Sequence, residues 1–326
     1  MNLMKYALMF SLLVISGCSH KNNYPKIIRV AYVMAPGGAS HKGAEKFAEI
    51  VNERSKGQMK VKLYPNGVMG NDRILVEGLQ LRTIDMIITG TALVGWYIPE
   101  YGVLEAPFVF RDYDHLDRVM GGEIGNEIIN ALYERRKIRV ISYLHRGPRY
   151  LTTTNTKVQN LADLQGLKLR VPELPTYIKS WEAFGANPTP LAYTDMFMAL
   201  KQGVVDGQEN PLEVIYTSHL YETQKYIMET KHLLGFYMVA VGEYFSDKFT
   251  PAEQDIITQA VKEATKFNNE IVQEYELDYK RKLEEHGVQF IPVDFEEFEN
   301  IAREKLPNVF REDWAENIYD RISSTE

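Results

Sequence analysis

The 326-residue chain contains a single cysteine, Cys18, and no long run of charges of one sign. One cysteine excludes a disulfide framework and any zinc site that needs two thiolates. The 37 Lys and Arg residues against 44 Asp and Glu residues give a formal net charge of -7, without the basic patches typical of nucleic-acid binders. Because 45% of the residues are hydrophobic and 25% are charged, the composition predicts a globular protein of about two domains rather than a disordered or polytopic membrane protein.

Common sequence signatures of catalysis and cofactor binding are also missing. The chain has no GxSxG, Walker or GxGxxG motif, and its seven histidines include no HxH or HxxxH pair. We therefore predict no metal site, no cofactor and no enzymatic activity. A Ser-His-Asp triad leaves no local trace in a sequence because its members meet only in space. An anchored hydrolase therefore remains an alternative at this point.

The N-terminal segment predicts export. Lys5 precedes an apolar run at residues 7–15 that is too short to span a bilayer, which is typical of a secretory signal. The next residues, Ile15-Ser16-Gly17-Cys18, resemble the lipobox of bacterial lipoproteins. That resemblance implies a signal peptide at residues 1–17, lipidation of Cys18, and a lipidated tether at residues 18–26 that holds the protein at the outer face of a membrane. A plain secretory signal with an incidental cysteine is the alternative. Removing residues 1–17 deletes one lysine and takes the formal charge from -7 to -8.

The rest of the chain alternates strand-like and helix-like segments, which predicts an α/β fold. A β-rich segment at residues 28–33, an amphipathic helix at 40–55 and a strand at 59–64 form a βαβ unit. Further predicted helices are at 72–82, 116–120, 124–135, 176–184 and 194–202, and further strands are at 84–89, 138–143, 167–171 and 204–208. Residues 79–85 and 200–206 both end a helix and enter a strand through an aspartate, as two similar halves would.

A long helix is predicted near the C-terminus. Thr250, Pro251 and Glu253 supply an N-cap, a first-turn proline and a capping box. The apolar periodicity continues to residue 285. At a rise of 1.5 Å per residue such a helix is about 50 Å long, which is enough to brace two lobes.

Arginine and amide side chains near predicted strand ends in the second half suggest an anion site. Arg170 alternates with apolar neighbours and is predicted to point off the buried face of its strand. Arg149 lies in a predicted turn at residues 145–149, and Asn210 follows the strand at 204–208. Ligands of open α/β sheets bind beyond the carboxyl ends of strands, and guanidinium groups donate paired hydrogen bonds to carboxylates. For each arginine alone, an ordinary surface ion pair is the alternative.

These segments resemble a known family. Residues 166–172 (GLKLRVP), 185–190 (GANPTP) and 205–212 (VDGQENPL) resemble signature stretches of the solute-binding proteins of TRAP (tripartite ATP-independent periplasmic) transporters, dicarboxylate and sugar-acid type. Residues 64–73 and 106–110 add to the resemblance, which extends over the mature chain. It implies a two-lobed fold similar to periplasmic binding proteins, with a long helix across both lobes. The predicted lobes comprise residues 27–147 with 236–275 (lobe I), and residues 148–235 with 276–326 (lobe II).

The resemblance also implies a function. An extracytoplasmic receptor of this kind captures a small organic acid, either a sugar acid such as a uronate or a C4-dicarboxylate, by closing its cleft, and delivers it to the membrane subunits of the transporter. A sensing receptor for a partner kinase is the alternative from another functional class. The sialic-acid branch of the family carries an acidic residue near the position of Gly90 and a polar residue near Val33 and Met34, so sialic acid is disfavoured.

Five substrate contacts follow from the resemblance. Arg170 matches the arginine that pairs with the substrate carboxylate, Arg149 a second basic contact, and Asn210 the amide that helps to orient that carboxylate. Tyr193 matches an aromatic that packs on the ligand, with a purely structural core position as its alternative. Asp72 matches a polar contact from the first lobe, with a role at the start of a helix as its alternative.

Overall fold

The computed structural model describes residues 24–326. The predicted signal peptide and Cys18 lie outside the described residues. The strands are β1 (Lys26–Ala31), β2 (Met59–Tyr64), β3 (Met86–Gly90), β4 (Ile138–Thr153), β5 (Lys168–Val171), β6 (Asn187–Pro190), β7 (Gly207–Pro211), β8 (Tyr226–Gly242) and β9 (Gln289–Ile291). The helices are α1 (Ala39–Arg54), α2 (Asp72–Gln80), α3 (Ala92–Tyr97), α4 (Tyr113–Gly121), α5 (Glu123–Arg136), α6 (Pro175–Phe184), α7 (Met196–Lys201), α8 (Leu212–Thr217), α9 (Phe245–Lys248), α10 (Pro251–Glu285), α11 (Phe295–Val309) and α12 (Ile318–Ser323). None of the helices in residues 24–326 has both the length and the apolar character of a membrane span.

Two parallel groups of strands are joined through two long antiparallel strands. The sheet order is β2-β1-β3-β8-β4-β7-β5-β6, and β9 pairs with β8. Strands β1, β2 and β3 run parallel in one group, and β5, β6 and β7 run parallel in the other. Between them β4 and β8 pair antiparallel and extend from one group to the other. The fold is therefore the predicted two-lobed α/β architecture, with β4 and β8 as its crossing connections.

The same hydrogen-bond arrangement occurs in both lobes. It is made by Asp85 and Asp206, the aspartates of the repeated sequence pattern. Asp85 accepts a hydrogen bond from the backbone N–H of Arg29 on β1 at 2.8 Å, and Asp206 accepts one from the N–H of Lys168 on β5 at 3.1 Å. Each aspartate returns a backbone N–H to the carbonyl of the same partner, at 3.0 Å and 2.8 Å. Each one thus aligns the start of a strand, β3 or β7, beside its parallel neighbour.

Helix α10 is continuous over 35 residues and spans both lobes. Its capping box forms as predicted, with the Thr250 N–H donating to Glu253 Oε2 at 2.8 Å. The first half of α10 lies against α1, where the buried Asn268 is next to Gly43. Farther along, Tyr279 and Leu283 are buried in an apolar cluster with residues of α8.

Two sequence predictions about strands are wrong. The turn predicted at residues 145–149 lies inside β4, which continues to Thr153 with a change of pairing register between His145 and Pro148. Proline lacks a backbone N–H, and a bulge is one of the few places where a sheet tolerates it. The strand predicted at 204–208 begins only at Gly207 and continues to Pro211. Asn210 therefore lies within β7 rather than after it.

The C-terminal segment contacts more than one part of the molecule. Helix α11 packs on α6, where Phe298 meets Phe184 edge to face. Beyond α11, the Ala315 N–H donates to the Glu100 carbonyl at 2.8 Å, and the Ile322 carbonyl lies 2.9 Å from His115 Nε2. The predicted lobe limits remain a prediction.

Candidate functional site

The five predicted substrate contacts line one cavity of about 80 Å³. The helix α2 and the end of β3 form one wall, and β4, β5 and β7 contribute to the other. The predicted residues in this lining are Asp72, Arg149, Arg170, Tyr193 and Asn210. Several residues that the sequence did not single out also line it, among them Trp96, Arg146, Tyr177 and Tyr237. The structure brings the predicted residues together, and their roles in binding remain predictions.

Arg170 is a buried cation without a carboxylate partner in residues 24–326. Its Nε and Nη2 both donate to the Leu191 carbonyl, at 3.0 Å and 2.6 Å, which fixes the plane of the guanidinium. Burial lowers the pKa of Arg170 to about 10, against the opposing effect of Glu209. The group is therefore still charged at neutral pH, and its charge is available to an anion in the cavity.

Arg149 is in a different situation because Glu209 already neutralises it. Nε of Arg149 donates to the Glu209 carboxylate, and Nη2 donates to Oε1 at 2.6 Å and to the Glu209 carbonyl at 2.7 Å. His232 Nε2 lies 3.1 Å from the same carboxylate, and Thr230 Oγ1 lies 2.8 Å from His232 Nδ1. Burial would raise the pKa of Glu209, but Arg149 and His232 hold it at about 2. A direct contact of Arg149 with substrate remains a prediction.

Arg146 supplies a second free guanidinium, and sequence reasoning missed it. Its Cζ lies 4.6 Å from the centroid of the Tyr237 ring, and its Nη2 donates to Asn210 Oδ1 at 3.0 Å. Nε of Arg146 is buried without a hydrogen-bond partner in the described part of the chain. Asn210 in turn donates to Gln208 Oε1 at 2.6 Å. Asn210 therefore orients Arg146, and the HRGPR segment, with two arginines around Gly-Pro, was the signal available in the sequence.

A bulge in β4 explains how Arg146 and Arg149 line the same cavity. Side chains three positions apart in a regular strand point to opposite faces. His145 pairs with Phe236 and Pro148 pairs with Leu234, so β4 carries one extra residue between these pairs. A bulge of this kind redirects the side chains beside it.

A second irregularity in the same strand pair positions the buried histidine. Arg149 pairs with Leu233 and Leu151 pairs with Met228, which leaves extra residues on β8 between these partners. His232 is one of these extra residues, and it is buried against Glu209. The two irregularities together bring both arginines and the buried carboxylate network to the cavity wall.

The opposite wall presents a carboxylate. The Asn71 side chain caps α2 by accepting from the Ile74 N–H at 3.1 Å, and Asp72 is the acidic residue of the first turn, so its carboxylate is not the N-cap. Asp72 instead faces the cavity and accepts from Thr89 Oγ1 at 2.8 Å. Burial raises the pKa of Asp72, against the effects of Thr89 and of Arg146.

Tyr193 and Gly90 are two further residues of the lining. The Tyr193 hydroxyl lies 2.7 Å from Ser218 Oγ, and its ring lines the cavity. Gly90 also lines the cavity, together with Val33 and Met34, and a Cβ at position 90 would lie 3.7 Å from Arg146 Nη1. The glycine leaves Arg146 without the counterion that an acidic residue there would supply.

Contacts across the cleft hold the two walls together. The Glu213 carboxylate accepts from the Ala39 N–H and from Ser40 Oγ, both at 2.9 Å, and so joins α8 to the start of α1. Trp96 Nε1 donates to the Glu173 carbonyl at 3.2 Å, which joins α3 to the segment after β5. The cavity is therefore enclosed by both walls.

A family model, a curated relative and a solved structure each match most of this chain. The family model described as bacterial extracellular solute-binding protein, family 7, matches residues 30–317. A solute-binding protein of Roseobacter denitrificans is 34% identical over 286 residues, which is 87% of each chain. The structure of a TRAP periplasmic solute-binding protein from that organism, with bound L-galactonate, superposes with a TM-score of 0.85 at 31% identity, over 92% of this chain and 98% of that one.

Two further structures have similar folds. The sugar acid binding protein DctPAm of Advenella mimigardefordensis, in complex with galactonate, has a TM-score of 0.88 at 30% identity, over 92% of this chain and 97% of that one. A TRAP periplasmic solute-binding protein of Sulfurospirillum deleyianum, with bound succinate, has a TM-score of 0.88 at 26% identity, over 92% and 99%. These relatives are binding proteins, so neither the kinase-linked sensor nor the anchored hydrolase is favoured.

Proposed function

Because this chain belongs to family 7 of the bacterial extracellular solute-binding proteins, we propose that its cavity captures a small organic acid and that the closed receptor delivers it to the membrane subunits of a TRAP transporter. The chain is a transport receptor and not an enzyme. Sugar acids and C4-dicarboxylates are the two candidate ligand classes, since solved relatives hold galactonate and succinate. Capture makes and breaks no covalent bond: the acid binds the closed state more tightly and shifts the population towards it.

The observation that carries this proposal is the state of Arg170. It is 3% exposed, faces the cavity, and forms no ion pair within residues 24–326. Burying a charge without a partner is costly, and a ligand carboxylate that accepts two guanidinium hydrogen bonds would offset that cost. Arg146, oriented by Asn210, offers a second donor group to the same carboxylate.

Isothermal titration calorimetry of Arg170→Ala tests the proposal. The acids to titrate are D-glucuronate, L-galactonate, D-erythronate and succinate, each bound by a solved relative. Loss of the buried ion pair costs about 3–5 kcal/mol, so affinity for the acid that the wild type binds should fall by about two to four orders of magnitude. Arg303→Ala is the control, because Arg303 lies on the exposed side of α11 with Glu299. Equal affinities of wild type and Arg170→Ala, with both folded by circular dichroism, would contradict the assignment.

We propose in addition that Cys18 carries the lipid anchor of this receptor. The support is the sequence alone: a short apolar run, the lipobox-like residues 15–18 and a polar segment after them. Several acyl chains on one residue bind a membrane stably, whereas one chain binds marginally. In cells fed a labelled fatty acid, the wild type and Ser19→Ala should take up the label, and Cys18→Ser should not. Equal labelling of Cys18→Ser and the wild type would contradict the anchor and leave the ligand proposal intact.

A further inference from the structure

Arg146 has hydrogen-bond donors that the protein leaves unused. A guanidinium carries five N–H donors. Within residues 24–326 only Nη2 of Arg146 donates, to Asn210 Oδ1 at 3.0 Å, and Nε is buried without a partner. Nη1 lies beside Gly90 at the end of β3, where a Cβ would be 3.7 Å away from it. With one donor of five in use, about four remain for a ligand in the cavity.

The guanidinium of Arg146 is held in place by the protein itself. It lies over the Tyr237 ring, with Cζ 4.6 Å from the ring centroid. Asn210 is oriented in turn, because its Nδ2 donates to Gln208 Oε1 at 2.6 Å, and Gln208 Nε2 donates to Thr152 Oγ1 at 2.9 Å. A preorganised donor loses little conformational entropy when a ligand binds, so it can discriminate between ligands that differ by one acceptor atom.

Arg170 restricts how a carboxylate can lie in the cavity. Its Nε and Nη2 both donate to the Leu191 carbonyl, so the edge that remains for a ligand is formed by Nη1 and Nη2. A carboxylate on that edge accepts about two of its four hydrogen bonds from Arg170. About two acceptor sites of the carboxylate are then left, which is fewer than the free donors of Arg146. Arg146 therefore has donors to spare for an oxygen atom next to the carboxylate.

The two arginines reach the cavity from adjacent parts of one wall. Arg170 on β5 pairs with Gln208 on β7, and Asn210, which holds Arg146, is two residues farther along β7. Neighbouring strands lie about 4.8 Å apart. A ligand whose carboxylate binds Arg170 therefore brings its carbon 2, the carbon next to that carboxylate, towards Arg146.

We propose that Arg146 is a specificity-determining residue, which donates to an oxygen on carbon 2 of the ligand and to one oxygen of the carboxylate. The receptor then prefers 2-hydroxy acids to acids that lack this hydroxyl. A 2-hydroxy carboxylate presents two oxygens side by side, which match the paired donors of a planar guanidinium. Without the hydroxyl, donors of Arg146 stay unpaired in a partly buried site, which is costly. This inference rests on the proposed function and narrows its ligand class.

Three pairs of probes test the inference, because the members of each pair differ by one hydroxyl next to a carboxylate. L-Galactonate and D-erythronate are each compared with the 2-deoxy analogue of otherwise identical configuration, and L-malate is compared with succinate. In calorimetry the wild type should bind the 2-hydroxy member at least tenfold more tightly. Arg146→Met keeps an apolar stem on Tyr237 and removes the donors, so the ratio of the two affinities should fall by at least tenfold. Arg146→Lys keeps the charge without the planar fork, so it should bind both members more tightly than Arg146→Met and still lose the ratio.

Arg139→Met is the matched control for these variants. Arg139 is an exposed arginine on the same strand, β4, and its Cζ lies 5.2 Å from the centroid of the Tyr133 ring. It is not among the residues that line the cavity. Arg139→Met should therefore leave the ratio of affinities at the wild-type value.

The possible results separate this inference from the function on which it rests. A wild type that binds both members of a pair equally, or an Arg146→Met ratio equal to the wild-type ratio, overturns the role of Arg146 while the organic-acid receptor stands. The same holds for a wild type that binds D-glucuronate but none of the paired probes. A wild type that binds none of these acids overturns the proposed function and this inference with it. Circular dichroism shows whether each variant is folded, and Arg146→Lys measures the same ratio if Arg146→Met is not.

Discussion

Replacing Glu209 by glutamine should strongly destabilise the ligand-free protein. The Glu209 side chain is fully buried, and the Arg149 side chain beside it is 2% exposed. Removing one partner of a buried ion pair leaves an uncompensated charge and costs about 3–5 kcal/mol. The pKa of Glu209, held at about 2 against its ordinary value of 4.5, gives about 3 kcal/mol at 1.36 kcal/mol per pKa unit. The buried ion pair and the lowered pKa of Glu209 are two expressions of one interaction, which predicts a loss of about 3 kcal/mol at neutral pH.

The pH dependence has a defined sign. A carboxylate whose pKa is lowered by folding stabilises the protein fully above its unfolded value of about 4.5, and that stabilisation is lost as the pH falls towards 2. The wild type should lose this increment between pH 4.5 and 2. Glu209→Gln, which has no carboxylate there, should show a smaller change over the same interval. Urea unfolding of the ligand-free protein at a series of pH values measures both effects.

A control variant and a double substitution make the experiment decisive. Glu229→Gln removes the carboxylate of a partly exposed ion pair with Lys280, 2.7 Å apart, and should cost less than about 1 kcal/mol. Arg149→Met combined with Glu209→Gln should cost less than the sum of the single changes, because no unpaired charge is left. If Glu209→Gln cost no more than Glu229→Gln, or if the double substitution were additive, the coupled buried pair would be refuted.

Two other changes test cleft closure and the long helix. A Cβ at Gly38 would lie 2.1 Å from Glu213 Oε1, so Gly38→Ala should break the contact across the cleft. Ligand affinity should then fall by about tenfold, while the free energy of unfolding stays within about 1 kcal/mol of the wild-type value. Calorimetry and small-angle scattering with ligand measure this, and unchanged affinity with full closure would contradict the role of that contact. Thr250→Ala removes the N-cap of α10 and should cost about 1 kcal/mol in urea unfolding, whereas Thr250→Ser should restore most of it; equal stability of the alanine and serine variants would contradict the cap.

Local signals in the sequence predicted some elements well. The start of α10 depends on Thr250 and Glu253, which are three positions apart, so its capping box is visible in the sequence and confirmed in the structure. Asp85 and Asp206 were likewise visible as a repeated pattern, because each acts at the entry to its own strand. For α10 the interaction that fixes the element lies within the pattern itself. The partners of Asp85 and Asp206 are Arg29 and Lys168, which are 56 and 38 positions away, so the pattern predicted where the strands begin but not which strands they pair with.

Features that depend on a distant partner were not predictable. Strand β8 is largely buried, so its second half, residues 233–241, forms a continuous apolar run without the alternation that identifies a half-exposed strand. The bulge that brings Arg146 to the cavity depends on how β4 pairs with β8, about 90 positions farther along the chain. Glycine and proline at 147 and 148 therefore predicted a turn. The sequence could identify Arg149 and Arg170 as candidate anion-binding residues. It could not show that Glu209 neutralises Arg149 and leaves Arg170 unpaired.

One arginine of the site is paired with a carboxylate and two are not, and this difference explains how an acidic protein could bind an anion and close around it. A formal charge of -7 does not attract anions at long range, so capture depends on charges that the fold leaves locally unpaired. With Arg149 occupied by Glu209, the free charge on the wall built from β4, β5 and β7 comes from Arg146 and Arg170 in the described part of the chain. A ligand held only by Arg170 would bind the open and closed states about equally and shift nothing. Contacts with the opposite wall can form only when the cleft closes, so those contacts would supply the differential affinity that closes the receptor.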